Sequence, residues 1–89
     1  MRKVWKFSLA LVSQPQSLLM PEGAKIRFVG MQGGYPQIWA EVWPDRTPET
    51  RTFYIVGTGH DVHDDLMYVG TVMDQAGLFM WHIFEDVAK

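Results

Sequence analysis

The sequence predicts an all-β fold, a small antiparallel sandwich or barrel of six to seven strands. Apolar and polar residues alternate with period two in several short runs, as in 3–11 and 24–31. Turn signals built from Gly, Pro, Asp and Gln recur roughly every ten residues, the spacing of small sandwiches and barrels. No stretch sustains the 3.6-residue period of an amphipathic helix.

Along 3–11, Trp5, Phe7, Leu9 and Leu11 point one way while Lys6, Ser8 and Ala10 point the other. Gln14-Pro15-Gln16 ends that run, and Ser17-Leu18-Leu19-Met20 is a short apolar segment stopped by Pro21-Glu22-Gly23. Proline presets φ and glycine accepts positive φ, so this tripeptide reads as a turn. Alternation resumes from Ala24 to Met31. Gln32-Gly33-Gly34 is then a hairpin turn, since adjacent glycines reach the positive φ a tight two-residue loop needs. The returning strand is Tyr35–Trp43, with Pro36 confined to its beginning or to a sheet edge because it has no N–H to donate. Pro44–Glu49 reads as a loop and Thr50–Val56 as a strand rich in β-branched and aromatic residues. Beyond the Gly57–Asp65 loop, Leu66–Met73 is a strand, Asp74–Gly77 a turn, Leu78–Phe84 the last strand and Glu85–Lys89 a polar tail. A short helix around 60–66 is compatible with the composition there.

Eighty-nine residues make one domain, 1–89, and a small one. A chain of this size buries about 60–65% of its unfolded surface. Without cysteine it has neither disulfides nor thiolate zinc sites to supplement its core. With 47% hydrophobic residues, homo-oligomerisation is the supplement the composition favours. The formal net charge of −2, with both signs mixed along the chain, argues against sequence-independent nucleic-acid binding. No apolar run approaches the roughly 18 residues of a membrane span. The start, Met1–Phe7, lacks a convincing cleavage site behind it and reads as a strand rather than a secretion signal.

Apolar residues stand on both sides of two strands. If Ile38, Ala40 and Val42 face the core, Trp39 and Trp43 stand beside Gln37 and Glu41 on the other face. Near the C-terminus, Phe79, Trp81 and Ile83 share one side while Met80 and Phe84 flank His82 on the other. A sheet in water is ordinarily apolar on one face. A curled sandwich, an oligomer interface or a ligand-binding groove each accounts for the excess. Trp39 and Trp43 are about 13 Å apart along a strand, too far to clamp one ring but able to line a groove.

The run Phe53–His60 ends a strand in Gly57-Thr58-Gly59-His60, followed by Asp61, His63, Asp64 and Asp65. A Gly-x-Gly turn after a strand can present consecutive N–H groups to an anion. The third glycine of a dinucleotide fingerprint and the Gly-Lys-Ser/Thr of a P-loop are missing. Gly57, Thr58, Gly59 and His60 are therefore candidate phosphate contacts, with Arg51 on the preceding strand supplying charge and Trp39 or Trp43 a base platform; Arg27 and Arg46 are further cations within conceivable reach. His60 and His63 with the nearby aspartates are few for a zinc site, which needs three or four fixed ligands. Thr58 and His60 sit too close in sequence for a nucleophile–base pair, and no catalytic residue and no cofactor is assigned.

Lys3-Val4-Trp5-Lys6-Phe7, Met20-Pro21-Glu22-Gly23-Ala24-Lys25-Ile26, Ile38-Trp39-Ala40, Val56-Gly57-Thr58-Gly59-His60, Tyr68-Val69-Gly70-Thr71 and Trp81-His82-Ile83-Phe84-Glu85 carry a resemblance. With Arg51 and Phe53 they cover nearly the whole chain. The pattern resembles a family of short, mostly uncharacterised proteins of tailed bacteriophages and prophages. The resemblance implies a phage origin and action in the host bacterial cytoplasm, and brings no catalytic site with it. The expectation is a non-catalytic counter-defence protein sequestering a nucleotide-like host signalling molecule. The alternatives are an inhibitor of a host defence protein or an accessory phage scaffold and, less favoured, a metal-dependent hydrolase using His60, His63 and the aspartates.

Overall fold

Alternating and β-branched segments become seven strands in the computed structural model, which describes residues 1–87. They are β1 (Lys3–Ser8), β2 (Gln16–Pro21), β3 (Lys25–Gln32), β4 (Tyr35–Val42), β5 (Pro48–Gly57), β6 (Leu66–Met73) and β7 (Met80–Asp86). All pairings are antiparallel. A three-stranded sheet has the order β1-β4-β3 and a four-stranded sheet the order β2-β5-β7-β6, the layered sandwich that the sequence predicts. Among the described residues there is no helix. The segment 60–65 is an irregular loop rather than the short helix its composition allows, entered by the His60 N–H donating to the Gly57 carbonyl and left by the Leu66 N–H donating to the His63 carbonyl at 3.2 Å.

The β3–β4 hairpin forms as its glycines require. Gly33 and Gly34 have φ of 63° and 85°, which a Cβ would disfavour at both positions. Pro36 is the second residue of β4, opposite Met31, and its carbonyl accepts the Leu9 N–H at 2.9 Å. The last strand begins two residues later than the sequence suggests. The Asp74 carboxylate accepts the N–H groups of Leu78 and Phe79, holding both in the turn. The strand then runs on through Glu85 and Asp86, so the expected polar tail begins as a continuation of β7; Ala88 and Lys89 lie outside the described residues.

Paired residues on neighbouring strands share a face, so the register sorts the side chains. Ile38, Ala40 and Val42 face inward with no exposure, as their alternation predicts. They meet Phe53, Ile55, Ile83 and Val72 of the other sheet's inner face, with Leu9 and Met20 closing the core. The sheets approach each other most closely where edge strands β3 and β6 meet. Both strands carry a register shift there, between Ile26 and Phe28 and between Tyr68 and Gly70, and such bulges bend an edge.

The outer faces differ. On the three-stranded sheet, Lys6 lies opposite Trp39 and Lys25 opposite Glu41, with Arg27 in the bulge. Glu41 accepts from Arg27 at 2.6 Å and also pairs with Arg2. The Arg27 hydrogen bond, opposed by desolvation and assisted by the charges of Arg2 and Arg27, holds the Glu41 carboxyl below its ordinary 4.5. A carboxyl depressed in the folded state contributes stability above its unfolded value, and that contribution is lost as pH falls through the folded value. Glu41→Gln is therefore expected to flatten the acid limb of a stability–pH profile below about pH 4.5, measured by urea denaturation.

On the four-stranded sheet, Tyr54, Phe84 and Tyr68 form one cross-strand row and Val56, His82 and Thr71 the next, with Met80 opposite Met73 beyond them. On the inner side of the same strands Phe53 lies opposite Glu85, Ile55 opposite Ile83 and Gly57 opposite Trp81.

Candidate ligand cleft at the Gly57 turn

β5 ends at Gly57, and the chain reverses with Gly59 at φ 90° and the His60 N–H donating to the Gly57 carbonyl at 3.1 Å. The positive φ is required at Gly59, where glycine alone adopts it without strain. The reversal brings His60 back over Gly57. A Cβ on Gly57 would lie 3.5 Å from the Trp81 ring and 3.8 Å from His60 Nε2, ordinary contact distances that show both rings lying against the strand end.

His60 stands where three adjoining depressions meet. The largest, about 380 Å³, lies between the turn (Gly57, Thr58, His60) and the segment Leu78–Trp81. A second, about 120 Å³, shares Gly57, His60 and Trp81 with it and reaches the Leu11–Ser13 linker. A third, about 150 Å³, continues past His60 to Asp61, Val62 and His63. Phe79 and Trp81 form the aromatic wall, their ring centroids 5.9 Å apart and their planes 30° from parallel. Trp81 Nε1 is the one buried side-chain nitrogen or oxygen among the described residues without a hydrogen-bond partner. An indole nitrogen only donates, and leaving it unpaired costs about 1–3 kcal/mol.

Next to the cleft, on the outer face of the sheet, the two nitrogens of His82 are held by hydroxyls. Thr58 Oγ1 lies 2.8 Å from Nε2 and Thr71 Oγ1 3.0 Å from Nδ1, and the Tyr68 hydroxyl is 2.7 Å from Thr71 Oγ1. The partner of Thr58 is thus His82, on the neighbouring strand β7, and not its sequence neighbour His60.

Of the residues singled out in the sequence, Gly57, Thr58 and His60 line the cleft and Gly59 shapes its turn. Arg51 does not join them. It sits six residues back along β5, roughly 20 Å away by strand rise. There it grips Glu85 through Nε at 2.6 Å and Nη2 at 2.9 Å and donates to the Ala24 carbonyl at 2.6 Å. The Glu85 hydrogen bond, assisted by the charges of Glu85 and Glu49 and opposed by desolvation, raises the Arg51 pKa above its ordinary value. Its donors are directed into a bidentate ion pair, which removes it as the cation of a phosphate site.

Trp39 and Trp43 are also elsewhere. Trp39 packs on Phe28 on the outer face of the other sheet, centroids 5.6 Å apart, and Trp43 is capped by the Arg46 guanidinium at 4.3 Å. Neither forms part of the wall of the three depressions. Arg27 is paired with Glu41, and no lysine or arginine lines the depressions. The histidines and aspartates of 60–65 do not gather into a metal site: among the described residues no group of three or more His, Cys, Asp or Glu side chains is so placed.

Sequence reasoning missed Trp81, Phe79 and His82. The signal was present as the two-sided apolar pattern of 78–84, but placing Trp81 opposite Gly57 takes the β5–β7 register.

Fold and site define a two-sheet antiparallel sandwich with a ring-walled cleft at one end. The chain belongs to the family described as a domain of unknown function (DUF7352), whose model matches residues 1–89. No curated protein and no solved structure matches it significantly.

Proposed function

We propose that this chain is a non-catalytic binding protein, of phage origin and acting against a host defence, that holds a nucleotide-like molecule by its base. The observation that carries the reading is the stacked ring pair of Phe79 and Trp81 walling a cleft of about 380 Å³. A planar heterocycle offers a flat ring face to the Phe79 and Trp81 wall. About 380 Å³ lies in the range of small-molecule sites and suits a base better than a whole dinucleotide. With Arg51 committed to Glu85, phosphates contribute little and point outward past Thr58 and Gly59.

Calorimetry against nucleosides and their phosphates tests the reading. Nucleoside and monophosphate are expected to bind with affinities within a few-fold of each other. Phe79→Ala, which removes the exposed ring of the wall, is expected to weaken both by about tenfold, the worth of one base–aromatic stack. No binding across the panel, or a strict requirement for phosphate, overturns it.

A second reading, blockade of a host defence protein, draws on the exposure of Leu78 (75%) and Phe79 (57%) at the β6–β7 tip. Apolar anchors projecting from a turn suit insertion into a partner's pocket.

A further inference from the structure

We infer that the outer face of the four-stranded sheet is a self-association surface, and that two copies of this chain pack face to face across it. The inference is independent of the cleft and of what it binds.

The register places only one carboxylate, Asp86, on this face, and neither lysine nor arginine. The opposite outer face carries Lys6, Lys25, Arg27 and Glu41 in the same kind of strand positions. A sheet face built only to meet water has no reason to exclude charge. Interface centres do, and they favour the Tyr and Met found here. Tyr68 is 57% exposed, Met73 54% and Leu19 68%.

Most of the polar side chains on this face, Tyr54 and Thr50 apart, are hydrogen-bonded to one another. Thr58, His82, Thr71 and Tyr68 form one continuous hydrogen-bonded chain, and Ser17 and Thr52 form a separate pair at 3.1 Å. Covering these groups with another protein leaves each of them with a partner it already has. The usual penalty for dehydrating hydroxyls and imidazole is therefore reduced in advance.

A face with a single carboxylate offers a foreign partner little electrostatic steering, but it is complementary to itself. Asp86 sits at one end of β7 and Met80 at the other, about 20 Å away by strand rise. A twofold axis lying between the faces and across the strands sets each Asp86 over the Met80 end of the other copy. The two carboxylates are then separated by more than the Debye length of about 8–10 Å, and no like charges meet. Four strands about 4.8 Å apart give the face a footprint of roughly 20 × 25 Å. A pair of such faces covers about 1,000 Å², the size at which specific interfaces begin.

The test is sedimentation velocity of the full chain over a concentration series, with circular dichroism as the check on folding. The expected result is a particle of twice the 10.3 kDa chain mass. Tyr68→Lys and Met73→Lys each place a charge on the face at a largely exposed side chain that the fold tolerates. Each is expected to raise the dimer dissociation constant at least about 100-fold by burying an unpaired ammonium. Phe28→Lys, on the other sheet's outer face, is expected to leave it unchanged. A wild-type monomer at every concentration overturns the inference, as does a dimer that Phe28→Lys dissolves while the other two do not. A monomer that instead forms a stable complex with a host protein, lost in Tyr68→Lys, assigns the face to that partner and also overturns self-association.

Discussion

Arg51→Met is expected to lower the unfolding free energy by about 3–5 kcal/mol, the usual result of removing one partner of a buried ion pair. Glu85 is 4% exposed and its two oxygens are held by Nε and Nη2 of Arg51. Without the guanidinium, a carboxylate remains on the inner face of β7 between Phe53 and Met67, its cross-strand neighbours. For a domain of this size each kcal/mol moves the melting temperature by about 4–8 °C, so a fall of at least about 12 °C is expected by calorimetry. Small domains have about 5–15 kcal/mol in total, and this one change removes much of it. Glu85→Leu should be milder. The Arg51 side chain is 17% exposed, borders depressions of about 290 and 240 Å³ and can turn its head toward water. The double variant Arg51→Met/Glu85→Leu is expected to recover most of the loss, because apolar pairs often replace buried ion pairs at no net cost. A double variant as unstable as Arg51→Met alone would show that the pair acts through its third bond, to the Ala24 carbonyl.

Gly70→Ala is expected to destabilise by about 1–2 kcal/mol, although alanine ordinarily suits a strand better than glycine. A Cβ built on Gly70 lies 2.4 Å from Val29 Cγ2, nearer than non-bonded carbons approach. Val29 packs against the core and, being β-branched, has little freedom at χ1, so the seam between β3 and β6 must open. Overpacking of this kind costs about 1–3 kcal/mol. The smaller unfolded-state entropy of alanine offsets only about 0.4–1 kcal/mol, so the clash decides the sign. Val29→Ala in the same chain relieves it, and a double-mutant cycle is expected to give a favourable coupling of at least about 0.5 kcal/mol. An additive cycle would place the origin of the glycine outside this contact.

Much of the fold was legible because strand patterning is local. The side chain of a strand residue alternates with its neighbours whatever the tertiary context, so Ile38, Ala40 and Val42 identified the buried side of β4, and Gly33–Gly34 identified the hairpin. Errors fell where a distant group intervened. The Asp74 carboxylate holds back the start of β7, and the buried grip of Arg51 turns the supposed polar tail at Glu85 into strand. The candidate cleft was half legible. A Gly-x-Gly turn announces itself, but its aromatic wall comes from a strand whose partner is set by register.

Alone, the sequence determined that this chain is an antiparallel β sandwich or barrel with more aromatic and methionine surface than a core needs, and with a glycine turn after the strand Thr50–Val56. Only the tertiary structure decided that Arg51 belongs to Glu85, Trp81 to Gly57 and Thr58 to His82. Those pairs lie 34, 24 and 24 residues apart. Antiparallel register sets such distances, and it is chosen by the burial of whole faces rather than by any local run of residues.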